Sequence, residues 1–185
     1  MSLQKINTNP FEVDLEFARN YERKFARKYG GYVTCSNKDD EGVDVTISHY
    51  VSAFSDLHVT DNDWYRCPLY VDVKAYRCPL YRPRFNGVFI EEHSGEKKKR
   101  FGWYKKLLLG KARTTDYVFY INCRQTGLGG YTYLTCYHIT KWELIEAIKK
   151  AKEDGALQHT ECKTADGFIL PYKYLRQYGR EIDGG

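Results

Sequence analysis

Apolar and polar residues alternate along two segments of the chain, and both segments are predicted to be β-strands. In residues 69–76 the odd-numbered positions are apolar, while the even-numbered ones carry Asp72, Lys74 and two tyrosines. In residues 43–48, valines and an isoleucine alternate with polar residues that begin with Asp44. Successive side chains of a strand point to opposite faces. Each segment therefore has one apolar and one polar face.

A spacing of three and four residues between apolar positions predicts a helix over residues 10–29. Residues 9–12 supply an N-cap asparagine, a proline at the first helical position and a capping-box glutamate, and Gly30 supplies the stop. The residues at this spacing form one stripe along the helix, which consists of Phe11, Leu15, Ala18, Glu22, Phe25 and Tyr29. Glu22 is the charged residue of this stripe.

The same patterns predict the remaining elements. Further strands are predicted at 86–92, 116–123 and 131–138, the last two as a hairpin around the glycine-rich turn 127–130. A helix is predicted from the capping box at Thr140 to about Asp154. The segment 102–110 is ambiguous, and a short helix is one interpretation of it. The segment 168–171 is predicted to be an edge strand or extended segment, followed by a short helix or coil and a disordered end. The mixture of strands and helices predicts an α/β fold.

The polar faces of these elements suggest a metal site. Asp72 and Lys74 lie two residues apart on one strand and point the same way, and Asp44 comes from a neighbouring strand. Two converging carboxylates repel each other unless a cation lies between them. Glu22 faces a core, which is costly for a carboxylate that neither pairs nor ligates a metal. We therefore predict that Asp44, Asp72 and Glu22 bind a divalent cation beside the Lys74 ammonium.

Each of these residues also has a non-catalytic interpretation. Asp72 and Lys74 fit an ion pair on an exposed strand, Asp44 fits a turn, and Glu22 fits a salt bridge to a lysine. Asp56 competes with Asp44 for the role of first metal ligand, although it lies in a segment without clear periodicity. The sequence favours Asp44 because that residue enters an alternating strand.

Three short motifs together resemble the PD-(D/E)XK, or restriction-endonuclease-like, nuclease superfamily. They are Tyr21-Glu22-Arg23, Gly42-Val43-Asp44 and Val71-Asp72-Val73-Lys74. Their order and spacing are similar to those of the small Holliday-junction-resolvase and phage-type members, and the resemblance covers roughly residues 10–122.

The resemblance implies a fold, a cofactor and roles for the site residues. The expected fold is α/β, a restriction-endonuclease-like mixed sheet of about five strands flanked by helices. Asp44, Asp72 and the backbone carbonyl of Val73 would ligate Mg²⁺ or Mn²⁺. Lys74 would polarise the attacking water, and Glu22 would hold a second metal or its water. Related proteins often pair to cut both strands, so a homodimer is a possible assembly.

Basic residues are concentrated in the middle of the chain. Residues 64–113 carry 13 basic and 4 acidic side chains, whereas residues 1–63 carry 7 basic and 11 acidic ones. A basic excess next to a metal site suits a phosphate backbone, and the usual alternative is a solvated lysine loop. The candidate nucleic-acid-binding residues are Arg77, Arg82, Arg84, Lys97, Lys98, Lys99, Arg100, Lys105 and Lys106.

Length and composition limit the remaining possibilities. The 185 residues, of which 42% are hydrophobic, suit a single domain 1–185 with a core of about 10–153 and a C-terminal extension 156–185. The six cysteines form no Cys-x-x-Cys pair, which favours reduced thiols over zinc or an iron–sulfur cluster. With no membrane-spanning run and no secretory signal, the expected location is cytoplasmic.

The function expected from sequence is divalent-metal-dependent hydrolysis of DNA phosphodiester bonds, on duplex or branched DNA. Two alternatives remain open. One is a non-catalytic nucleic-acid-binding module of the same fold, and the other is an RNA-directed nuclease.

Overall fold

The computed structural model describes residues 10–34, 42–48, 68–79, 87–95, 97, 99–124, 132–161 and 165–183. Its helices are α1 (Pro10–Tyr29), α2 (Trp103–Leu108), α3 (Lys141–Glu153) and α4 (Tyr172–Tyr178). The strands of the main sheet are β1 (Tyr32–Val33), β2 (Val45–Ile47), β3 (Leu69–Pro79), β6 (Asp116–Arg124), β7 (Thr132–Thr140) and β10 (Arg180–Ile182). The strands of the second sheet are β4 (Gly87–Ser94), β5 (Arg100–Phe101), β8 (Gln158–Glu161) and β9 (Ala165–Pro171).

The main sheet is mixed and has the strand order β1-β2-β3-β6-β7-β10. Neighbouring strands are antiparallel except β3 and β6, which run parallel over nine residue pairs. The second sheet has the order β5-β4-β9-β8 and is antiparallel throughout. The predicted α/β fold with a mixed sheet is confirmed. The described residues give this sheet six strands, where the sequence predicted about five.

The main sheet separates two hydrophobic cores. Along β6, Tyr117 and Phe119 pack into one core, and Val118 and Tyr120 pack into the other, as the alternation of a strand requires. Helix α1 covers the face that bears Val118 and Tyr120. The second sheet and helices α2, α3 and α4 contribute to the core on the opposite face. The main sheet is thus a middle layer.

Helix α1 follows the predicted stripe. Phe25 and Tyr29 are buried and pack with Val71 and Val73, the apolar face of β3. Gly30 follows the helix with a φ of +67°, a conformation that favours glycine at a helix end. The predicted N-cap Asn9 lies outside the described residues. The apolar side of β3 is therefore sealed by α1, which leaves its polar side to face the other layer.

The hairpin and the helix after it are also confirmed. Strands β6 and β7 pair antiparallel, and the predicted turn at 127–130 lies outside the described residues. Helix α3 begins with the expected capping box, in which Glu143 N–H donates to Thr140 Oγ1 and Thr140 N–H donates to Glu143 Oε2. The segment 102–110, which is ambiguous in the sequence, contains the short helix α2.

The second sheet differs most from the sequence prediction. The strand predicted at 86–92 exists as β4, but it pairs with β5 and β9 rather than with the main sheet. The edge position predicted for 168–171 is wrong, because β9 lies between β4 and β8. Pro171 is tolerated there as the last residue of its strand, where few ladder hydrogen bonds remain to be lost.

The C-terminal segment also belongs to the sheets. Residues 156–185, assigned from sequence to an extension, supply β8 and β9 to the second sheet and β10 to the main one. The prediction of a disordered end is wrong for Arg180–Ile182, which pairs with β7. The predicted helix before it is present as α4. No helix within the described ranges has both the length and the apolar character needed to cross a bilayer.

Candidate active site

The site forms where one edge of β3 has no described strand beside it. Strand β2 pairs with β3 only over Leu69–Val71, whereas β6 pairs with the other edge over Val71–Pro79. From Asp72 onward, no described strand continues β2 along that edge. The Val73 N–H points to this edge and donates to Asp44 Oδ2 at 2.8 Å. Because the N–H and C=O of one strand residue point to the same side, the Val73 carbonyl faces the same edge.

Asp44 is fixed against β3 by its backbone as well as its side chain. Its N–H donates to the Val71 carbonyl at 3.0 Å, and its own carbonyl accepts from the Thr34 N–H at 2.8 Å. The turn that delivers it contains Gly42, whose φ of +66° favours glycine, and the Gly42 carbonyl accepts from Thr114 Oγ1. The local sequence therefore sets the position of this carboxylate.

Asp72 and Lys74 form an ion pair on the polar face of β3. The Lys74 Nζ lies 2.5 Å from Asp72 Oδ1. The Asp72 side chain is 2% exposed and that of Lys74 is 25% exposed. The ammonium also lies 5.6 Å from the centre of the Trp103 ring. The pair is thus not the solvated surface pair of the alternative interpretation but is largely enclosed by the second layer.

The electrostatics of the pair are shaped by burial and by Asp44. Burial raises the pKa of Asp72 well above its ordinary value, and the negative charge of Asp44 raises it further against the opposing effect of Lys74. Burial lowers the pKa of Lys74, but the charges of Asp72 and Asp44 outweigh it and raise that pKa above its ordinary value. Lys74 is therefore an ammonium at neutral pH, and it can stabilise anions and orient water but cannot take up a proton.

A cation suits the carboxylates. Asp72 Oδ1 is buried and has the Lys74 ammonium 2.5 Å away, while the second carboxylate, Asp44, also acts on Asp72 and raises its pKa. One ammonium cannot neutralise two neighbouring carboxylates, and a divalent cation would relieve the repulsion that remains between them. Asp44, Asp72 and the Val73 carbonyl are oxygen ligands of the kind that Mg²⁺ and Mn²⁺ prefer. The predicted metal ligands therefore fit the cation.

The raised pKa of Asp72 predicts a pH-dependent stability without metal. Asp72 binds its proton more tightly in the folded than in the unfolded chain, so its contribution is complete below about pH 4 and is lost as the pH rises through the folded pKa. Each unit of increase in pKa corresponds to about 1.4 kcal/mol. We expect the stability of Asp72→Asn relative to the wild type to increase between pH 4 and pH 8.

Urea unfolding in EDTA at several pH values measures this difference. Added Mn²⁺ should stabilise the wild type and leave Asp72→Asn nearly unchanged, since a ligand stabilises only the state that binds it. Parallel pH profiles for the two proteins would show that Asp72 has no raised pKa.

One cavity of about 440 Å³ joins the predicted catalytic residues. Glu22, Asp44, Asp72 and Lys74 all line it, together with the backbone-anchored Val73. In the described part of the chain, no three acidic, histidine or cysteine side chains are close enough to form a ready-made metal cage. The carboxylates of Asp44 and Asp72 interact directly, and Glu22 shares their cavity from helix α1.

The cavity also contains residues that the sequence did not assign to it. Glu91 of β4 lines the cavity. Burial raises its pKa, and Lys74 opposes that shift. Tyr117 and Tyr76 are further lining residues, and burial raises the pKa of both. The signal for Glu91 was its place in the alternating segment 87–92, on the same face as Phe89.

The basic residues predicted to contact phosphate fall into three groups. Lys106 lines the cavity and Lys105 lies partly buried nearby, next to His93 and Phe101. Exposed positions are occupied by Lys97, Lys99 and Arg100. The remaining basic residues, Arg82, Arg84 and Lys98, lie outside the described residues, and the side chain of Arg77 is not described. The alternative metal ligand Asp56 also lies outside the described residues.

Comparisons with protein-family models, with curated proteins and with solved structures found no match to this chain. Function is therefore inferred from the geometry of the site and from the motifs that form it.

Proposed function

We propose that this chain is a divalent-metal-dependent nuclease that hydrolyses DNA phosphodiester bonds. The observation that carries the proposal is the meeting of two carboxylates and an ammonium at the edge of β3. There the Asp44 carboxylate is hydrogen-bonded to the Val73 N–H, beside a buried Asp72 whose Oδ1 lies 2.5 Å from the Lys74 ammonium. Lys74 and Glu22 line the same cavity. Carboxylates that can hold a cation, placed next to an ammonium, suit the cleavage of a phosphate ester.

Each residue has a distinct role in the proposed reaction. Asp44, Asp72 and the Val73 carbonyl would hold Mg²⁺ or Mn²⁺, which supplies charge neutralisation and Lewis-acid activation when bound. The Lys74 ammonium donates a hydrogen bond to the attacking water or to a phosphate oxygen and stabilises the developing negative charge. Glu22 accepts a hydrogen bond from water in the cavity. The ion pair between Asp72 and Lys74 holds the ammonium in place before the substrate binds.

We further propose that the fold is restriction-endonuclease-like. Helix α1 is followed by the antiparallel strands β1, β2 and β3, then after an insertion by α2 and by β6, which is parallel to β3. This order supports the proposal because the Asp72 strand lies inside the sheet and Glu22 of the first helix lines the same cavity as Asp72. The homodimer implied by the resemblance stays a prediction.

A nucleic acid is the proposed substrate because of the charge near the cavity, and DNA is the nucleic acid that the resemblance in the sequence implies. Lys106 reaches the cavity itself, and Lys97, Lys99 and Arg100 are exposed on the segment that forms its wall. Basic side chains beside a metal site attract a phosphate backbone, with an affinity that falls as salt increases.

The proposal is tested by incubating the purified chain with DNA and RNA in Mg²⁺, in Mn²⁺ and in EDTA. We expect cleavage of DNA that requires the metal and stops in EDTA. Preferential cleavage of RNA would favour the RNA-directed alternative. Salt-dependent binding without any cleavage in either metal would overturn the proposal in favour of a non-catalytic binding module.

A further inference from the structure

Aromatic as well as acidic side chains line the candidate active site, and the aromatic ones are called its aromatic wall below. The aromatic lining residues are Tyr76, Phe89, Phe101, Trp103 and Tyr117. Several of these rings are held by other contacts. The Tyr76 hydroxyl donates to the Phe89 carbonyl at 2.7 Å, and the Trp103 ring packs 5.1 Å from that of Tyr117. Phe101 differs from them because its residue is 40% exposed.

Phe101 occupies the rim of the cavity on an edge strand. It lies in β5, which is the outermost strand of the second sheet in its described part and pairs with β4 through His93. An exposed phenyl ring on a short edge strand contributes little to a core. It lines the same cavity as the carboxylates, and its exposed part can be reached by a bound molecule.

Two ammonium groups accompany the Phe101 ring. Lys105 Nζ lies 5.6 Å and Lys111 Nζ 5.3 Å from the centre of the ring. Lys105 is held in place, because its Nζ donates to His93 Nε2 at 2.9 Å and His93 Nδ1 donates to Asp166 Oδ1 at 2.7 Å. An ammonium cannot accept a hydrogen bond, so Nε2 of His93 must be the acceptor from Lys105. The two hydrogen bonds together therefore fix His93 in the Nδ1–H tautomer. Both ammonium groups lie over the ring, and Lys111 is exposed, so it can leave the ring for a phosphate and give its place to a base.

This combination of groups matches one unpaired nucleotide. A flat apolar ring provides a stacking surface for a base, and adjacent ammonium groups provide contacts for its phosphates. An intact duplex keeps its bases stacked inside the helix and offers a protein mainly its phosphates and groove edges. The aromatic wall of a recessed cavity would have little to contact on such a duplex.

We propose that the cavity accepts an unpaired nucleotide, whose base stacks on Phe101 while Lys105 and Lys111 contact the flanking phosphates. This inference rests on the proposed nuclease function and defines its substrate as single-stranded DNA or the unpaired arm of a branched DNA. The stacking directs the phosphodiester toward Asp72 and Lys74. The site then selects for a base that is unpaired and not for a particular nucleotide sequence, because every base has a face that can stack.

The test compares cleavage of single-stranded and duplex DNA of one sequence by the wild type and by Phe101 variants. Phe101→Ala should lower kcat/KM on the single strand by about five- to a hundredfold, the range that base–aromatic stacking supports. Cleavage of the duplex should change much less. Phe101→Trp should retain the preference, whereas Phe101→Leu, which keeps apolar volume without a ring, should behave like alanine.

Trp142→Ala is the matched control, because Trp142 is an exposed aromatic residue (67% exposed) that lines a different cavity. It should leave both substrates unaffected. A single strand that carries 2-aminopurine provides a direct readout of binding in the cleavage-deficient Asp72→Asn protein. Its fluorescence should be quenched by stacking on Phe101 and should not be quenched by the Phe101→Ala version.

The outcomes separate this inference from the proposed function. If the wild type cuts DNA with metal but prefers duplex, or if Phe101→Ala affects both substrates equally, the stacking proposal fails and the nuclease proposal stands. If the wild type cuts neither substrate but quenches 2-aminopurine through Phe101, the nuclease proposal fails and the site binds unpaired nucleotides without cleaving them.

Discussion

Asp72→Asn is expected to lower the rate of Mg²⁺-dependent DNA cleavage by at least about a thousandfold, since a metal site supplies several kcal/mol of transition-state stabilisation. The amide preserves the shape of the side chain but removes the charge that attracts the cation. Lys74→Gln should cause a loss of similar size, because the ammonium acts on the same phosphate. Single-turnover cleavage with saturating enzyme measures both effects.

The two substitutions act on one unit, so the double variant should lose little more activity than either single variant. Glu146→Gln and Lys149→Gln are matched controls, because these residues form an exposed ion pair on α3 with an Nζ–Oε1 distance of 2.6 Å. They should retain wild-type rates. A folded Asp72→Asn protein that cuts DNA at more than a tenth of the wild-type rate would refute the proposed metal site.

Gly167→Ala is expected to destabilise the fold by about 3 kcal/mol or more, because overpacking against rigid backbone cannot relax easily. A Cβ at this position of β9 would lie 2.0 Å from the Ile90 carbonyl oxygen of β4. Strands β4 and β9 would have to separate, although Ile90 and Phe168 both belong to the core between the sheets. Urea unfolding monitored by tryptophan fluorescence measures the loss.

Gly155→Ala is the control for this prediction. Nothing lies within 4 Å of a Cβ placed there, and the cost arises from the φ of +63° alone, which amounts to about 1 kcal/mol. If the Gly167→Ala protein cannot be obtained folded, the prediction also holds, because the loss in the free energy of unfolding then exceeds the stability of the fold. Equal destabilisation by the two substitutions would mean that β4 and β9 are not as close as described.

Local periodicity was sufficient to predict the strands β2, β3, β6 and β7 of the main sheet, but not its short outer strands β1 and β10. The alternation in 69–76 predicted the strand β3, and the capping box at Thr140 predicted the start of α3. The second sheet was not predicted, because β4 pairs with β9 across more than 70 residues of sequence. A pattern identifies a strand but does not name its partner. Pro171 favoured an edge assignment, but a proline at the last position of an interior strand costs little.

The same distinction explains which site residues were predicted. Asp44 directly precedes β2, and Asp72 and Lys74 lie on the adjacent strand β3, so the alternation of each segment was enough to bring them to one cavity. Glu22 followed from its place on the stripe of α1. Glu91 and Phe101 come from the second sheet, and their approach to β3 depends on the packing of the two layers. Alternation indicated the face of β4 on which Glu91 lies, but the layers had to be known before either residue could be assigned to the cavity.

The parallel pairing of β3 with β6 has a consequence for engineering. Parallel neighbours cannot be joined by a tight turn, so the chain must leave the sheet and return between residues 79 and 116. That excursion contains β4, β5 and α2, which bear Glu91, Phe101 and Trp103. These three residues, which line the cavity, thus belong to one contiguous segment of the chain. That segment, called the cassette below, is separate from the strand that bears Asp72 and Lys74. Exchanging the cassette should alter what the molecule admits while the underlying reaction is retained.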